Sequence, residues 1–100
     1  MSSPPKQGST RDRPFRVFLL RIAAEITKDL LESLKFLCQD DLPKGGLKSV
    51  EKPLELLELL LEGGNICLGN VTYLVTLLEK AGNIQLANRV REQGMQFSFL

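Results

Sequence analysis

Histidine is absent from this chain, and with it go the commonest general base and the commonest metal ligand. Cysteine is scarce. Cys38 and Cys67 are the only two, too few for a disulfide framework and without CxxC spacing. With no histidine to activate them, both read as reduced, buried thiols that act as small hydrophobes. No apolar run reaches the ~18 residues that a membrane span needs. Met1 to Lys6 also lacks the apolar stretch of a signal peptide. An intracellular, cytoplasmic setting is the expectation. The glycine pairs Gly45-Gly46 and Gly63-Gly64 follow no strand and match no nucleotide-binding pattern. Short helical chains seldom provide a cleft for paired carboxylates. No enzyme, cofactor or metal site is expected.

Strand patterning is missing too, and so is a strong charge. The formal charge is +1, too little for a dedicated nucleic-acid footprint. Its distribution is uneven. Residues 1–21 hold Lys6, Arg11, Arg13, Arg16 and Arg21 against Asp12, a local +4. A nucleic-acid or membrane-surface binder using this basic end is an alternative, marked by strongly salt-dependent binding. What the chain does have is leucine, within a hydrophobic content of 43% over 100 residues. That supports one small domain with a core and excludes disorder throughout.

Residues 1–13 hold nothing that packs and read as a disordered basic arm. Pro14 then sits where a helix often begins. Phe15, Phe18, Leu19, Ile22 and Ile26 make its core stripe, while Val17, Leu20 and Ala24 form a second apolar strip on the far side. Thr27 is an N-cap for a helix running to about Asp40. Asp41 to Gly46 reads as a break, followed by one turn at most within Leu47 to Lys52. Pro53 opens a helix over Leu54 to Glu62 whose leucines occupy nearly the whole circumference. Glu51, Glu55, Glu58 and Glu62 gather on its one acidic edge. Gly63-Gly64 ends it. Asn70 caps the next helix, with Val71, Leu74, Val75 and Leu78 inward and Tyr73 off the stripe. A last helix from Ile84 to about Gln93 turns Leu86, Ala87 and Val90 inward. Residues 94–100 are an apolar tail, which either folds back on the bundle or marks the end of a splice form. The domain proper is 14–93.

The informative stretch is Leu30 to Cys38. At ~100° per residue, Leu30, Leu31, Leu34, Leu37 and Cys38 share one side, and Phe36 points roughly 160° from the middle of that stripe. An aromatic on a wet face needs a reason.

Leu-Lys-Phe-Leu-Cys at Leu34 to Cys38, preceded by Pro14-Phe15 and followed by Leu60-Leu61-Glu62 before a turn, resembles a death effector domain over Pro14 to about Arg91. The resemblance implies an all-α, compact antiparallel six-helix bundle, the death fold, with a short or irregular third helix. It implies a non-catalytic module that associates homotypically with death effector domains of adaptors, initiator caspases or their inhibitors, recruiting or regulating those caspases in apoptosis. Self-association into asymmetric oligomers or filaments follows where a contact does not close. Nucleic acid and membrane are not implied partners. The family's exposed apolar patch falls on Leu20 and Phe36, with Val17 beside Leu20. The acidic edge is expected to face basic residues of a neighbour, for which Arg16, Lys28 and Lys35 are the candidates here. A caspase-recruitment or pyrin-like domain is the nearest rival, and Leu34 to Cys38 argues against it.

One departure stands out. The family usually bonds an acid early in the second helix to an Arg-x-Asp-Leu motif opening the sixth. The matching positions here are Leu30 and Asn83-Ile84-Gln85-Leu86, so Leu30, Asn83 and Gln85 replace all three charges. Removing one partner of such a network strands the others, whereas losing all of them is tolerable. A divergent modulator that caps assemblies is consistent with that loss.

Overall fold

Leucine at helical spacing decides the architecture. In the structure, a computed structural model that describes residues 9–42 and 44–95, six helices follow one another. They are α1 (Ser9–Ala24), α2 (Lys28–Cys38), α3 (Lys44–Lys48), α4 (Pro53–Glu62), α5 (Thr72–Lys80) and α6 (Ile84–Met95). The fold is an all-helical bundle. Among the described residues the one β feature is an isolated bridge between Cys67 and Asn70. None of the described helices is long and apolar enough to cross a membrane.

The stripes meet in one core. Ile22 of α1, Leu34 of α2, Leu56, Leu57 and Leu60 of α4, Leu74 and Leu78 of α5 and Val90 of α6 are all essentially inaccessible. Each aliphatic side chain so buried contributes roughly 1.5–3 kcal/mol. α5 lies along α6, α1 packs chiefly on α4, and α2 chiefly on α5. α4 is central as its leucines predict: Leu54, Leu59 and Leu61 are half-buried, and only Glu55, Glu58 and Glu62 are exposed. The Thr27 hydroxyl accepts the Leu30 N–H at 3.2 Å, the expected cap.

Several local expectations change. α1 begins at Ser9, so part of the expected arm is helical and Pro14 lies inside the helix. Pro14 is exposed, and the carbonyl deprived of its N–H partner there can bond water. Residues 1–8 lie outside the described residues. α2 stops at Cys38, not Asp40. α3 occupies Lys44–Lys48, beginning inside the Asp41 to Gly46 stretch read as a break and ending in the stretch allowed one turn. Glycine costs ~1 kcal/mol in a helix, but burial of Leu47 and Val50 at its end outweighs that cost. Gly46 also lets α3 approach α4, since a Cβ there would stand 3.3 Å from Leu59. The N-cap of α5 is Val71, not Asn70. Asn70 still helps from one residue earlier, its Oδ1 accepting the Thr72 N–H at 3.2 Å.

Cys67 is exposed, whereas Cys38 is buried. Cys67 and Asn70 exchange two backbone hydrogen bonds, 3.0 and 2.9 Å, across a tight turn through Gly69 at φ +89°. Ile66 goes into the core in its place. At the other end α6 takes in Gly94 and Met95, so the expected tail begins later, and 96–100 lie outside the described residues.

Candidate protein-interaction surface

The two-faced character of α2 survives folding. Leu30, Leu31, Leu34 and Cys38 are buried, Leu37 is half-buried, and Phe36 is 70% exposed. Burial raises the Cys38 thiol above its ordinary value, so it stays protonated and inert. Glu32, one turn before Phe36, and Asp40, just past the helix end, lie beside the ring together with Lys35, Lys48 and Lys80, so its surroundings carry both signs of charge. Two shallow hollows flank the ring. One runs to Leu47 and Lys48 of α3, the other to Lys80 and Ala81 at the end of α5.

On α1, Val17 and Leu20 are 40% and 53% exposed. Arg13, Arg16 and Ala24 are exposed on the same side, within an arc of roughly 100°. No α1 residue lines either hollow beside Phe36. The chain therefore carries an aromatic on α2 flanked by both acids and lysines and an arginine-flanked aliphatic strip on α1, each with its own surroundings.

The charged candidates divide. Arg16, Lys28, Glu51, Glu58 and Glu62 are exposed. Lys35 is already committed: its ammonium donates to the Val50 carbonyl at 2.8 Å. Glu55 is committed as well. Its Oε1 accepts the backbone N–H groups of Glu51 and Lys52 at 2.8 and 3.0 Å, capping α4. Those bonds hold its carboxyl below the usual carboxylate range. Glu55 stays exposed and ionised, so the acidic edge remains Glu51, Glu55, Glu58 and Glu62, with one oxygen of Glu55 tied to the backbone.

Leu30, Asn83 and Gln85 do come together, on one hollow that Asp29, Ser33 and Ile84 also line. Leu30 is 9% exposed. The Asn83 Oδ1 accepts the Leu86 N–H at 3.1 Å, capping α6, and Gln85 is exposed. Ile84, 50% exposed, was not foreseen as a surface residue. The angular test that finds Phe36 also finds it, since Ile84 stands roughly 110° from the middle of the Leu86, Ala87 and Val90 stripe.

Sequence reasoning also missed Tyr73. Its hydroxyl donates to Asp41 Oδ2 at 2.5 Å, joining α5 to the α2–α3 turn. Burial first, and this bond second, raise the phenol above its ordinary value. Two exposed ion pairs, Arg89 with Glu25 and Arg91 with Glu79, tie α6 to its neighbours; such pairs contribute little each. Among the described residues no group of three histidine, cysteine, aspartate or glutamate side chains is placed to hold a metal ion.

A family model, the death effector domain, matches residues 15–96, which include all six helices apart from the first turns of α1. Comparison with curated proteins and with solved structures finds no match.

Proposed function

The chain belongs to the death effector domain family, and from that premise we propose that it is a non-catalytic module that binds other death effector domains, in adaptors, initiator caspases or their inhibitors, and so recruits or regulates those caspases in the cytoplasm. The family is one of protein-interaction modules in apoptosis signalling. Phe36 carries the reading for this chain. A ring 70% exposed on a helix whose opposite face is fully packed has no role in the bundle, and aromatic anchors dominate interface energetics.

Two unlike apolar patches support a heterologous contact. The Phe36 ring meets Val17 and Leu20 of a neighbouring domain, with Glu32 and Asp40 beside the ring pairing with that domain's Arg13 and Arg16. Opposite charges set register and association rate more than affinity. Because the patches differ, the contact need not close on itself, which permits asymmetric oligomers or filaments. The edge formed by Glu51, Glu55, Glu58 and Glu62, facing Arg16, Lys28 or Lys35 of a neighbour, supplies a second such pairing.

Phe36→Asp tests the proposal. The expected variant melts near the parent temperature but no longer captures purified death effector domains of adaptors or caspases. A collapsed melting curve would place Phe36 in the core, where truncating a buried Phe costs ~3–5 kcal/mol, and retained capture would remove it from the interface.

A further inference from the structure

α3 is the element least able to stand alone. It has five residues, two of them glycine, and isolated helices of that length are unstable in water. Yet its Leu47 and Lys48 form one wall of the hollow beside Phe36, and Gln39 and Asp40 of the preceding turn form another. Two side-chain hydrogen bonds close the chain on either side of it. Before α3, the Tyr73 hydroxyl donates to Asp41 at 2.5 Å across 32 residues. After α3, the Lys35 ammonium donates to the Val50 carbonyl at 2.8 Å across 15. Both acceptors belong to the segment that carries α3, and both donors belong to longer helices anchored in the core. The Tyr73 ring packs on that core, so its hydroxyl is delivered from a stiff support. The Asp41 backbone is held by its N–H bond to the Cys38 carbonyl at 3.0 Å and by buried Leu42 beside it, while its exposed carboxylate has this hydroxyl as a partner from across the fold.

We propose that Tyr73 and Lys35 are positioning residues that clasp the α3 segment from both sides and hold its wall of the Phe36 hollow in place. Tyr73 lies outside that hollow and acts only through the position of residues 39–42 and 44–50, whereas Lys35 also lines the hollow itself. The assignment of the Phe36 surface to partner binding rests on the function proposed above, whereas the clasp is a property of the isolated chain.

Amide hydrogen exchange on the full chain tests it. Tyr73→Phe keeps the ring and removes the donor, and exchange across 39–42 and 44–50 is expected to rise roughly three- to tenfold, the range for losing one ordinary hydrogen bond, since the exposed carboxylate regains water. Exchange in α5 and α6 stays unchanged. Asp41→Asn, which keeps an acceptor oxygen, gives a smaller rise. Lys35→Met, which keeps the stem, loosens the same segment from its other end. Unchanged exchange across 39–50 in Tyr73→Phe, or an equal rise in every helix, overturns the clasp. Binding to a purified death effector domain is read in parallel: Tyr73→Phe is expected to weaken it several-fold. Were Phe36→Asp to leave that binding intact while Tyr73→Phe still loosened 39–50, the proposed function would fail and the clasp would stand.

Discussion

Tyr73 shows how one atom changes a residue's role. Its ring lies off the main α5 stripe, and helical spacing alone leaves it a half-buried aromatic. The hydroxyl bond to Asp41 gives it a titration signature. Unfolded, the phenol ionises near pH ~10. Folded, it keeps its proton to higher pH, first through burial and then through the carboxylate that accepts it. A raised folded value adds stability that is complete below pH ~10 and is lost as pH rises from there toward the folded value. Thermal melts between pH 8 and 11 should therefore show the parent's advantage over Tyr73→Phe shrinking above pH ~10. A constant gap across that range would mean that the hydroxyl is not held as described. Lys35 is the converse case. Sequence offers its charge to a partner; the fold keeps that charge but ties one of the ammonium's N–H groups to the Val50 carbonyl, which sets where the charge stands.

Among the elements, α6 depends on a close approach at its end. Gly94 is buried within the helix, and a Cβ there would stand 2.5 Å from Val71 Cγ2, with Phe18 Cζ at 3.9 Å. Alanine favours a helix by ~1 kcal/mol over glycine, so Gly94→Ala would stabilise a free helix. Here the obstacle is the tip of a stiff, β-branched side chain, and overpacking of this kind costs ~1–3 kcal/mol. We expect Gly94→Ala to lower the melting temperature by several degrees. Gly94→Ala with Val71→Ala should cost less than the sum of the two, because the second change removes the clash. Additive losses would show that the helix end shifts away instead. α3 makes the same point from the other side. Its glycines oppose helix formation, and Leu47 and Val50 form it regardless by entering the core.

For the whole molecule, the replaced charge network tests whether the alignment of α2 with α6 is correct. Leu30, Asn83 and Gln85 line one hollow, which makes Leu30→Glu, Asn83→Arg and Gln85→Asp neighbours in space. Leu30→Glu alone places a carboxylate at a site 9% exposed and should be strongly destabilising. Asn83→Arg alone removes the cap on the Leu86 N–H, at about 1 kcal/mol. The triple variant should lose less than the sum by about 1 kcal/mol or more, since charges within reach of one another couple. Thermal melts of singles, doubles and triple decide. Strict additivity would separate the three positions.

The sequence by itself determined the helical class, the core and the wet aromatic. Those depend on periodicity within single helices, and a leucine stripe can be buried in one way only. Leu34 to Cys38 also carried the resemblance to the family, and that resemblance implied the pairing of Leu30 with Asn83 and Gln85. Tertiary structure alone decided the start of α1 ahead of Pro14, the helicity of Lys44–Lys48, the exposure of Cys67, and the commitments of Lys35, Glu55 and Tyr73. Most of these turn on what a segment meets across the fold. Lys35 reaches Val50 across 15 residues and Tyr73 reaches Asp41 across 32. Pattern along the chain records which face of a helix is apolar; it does not record which distant backbone carbonyl or carboxylate the packed helices bring to a side chain's end.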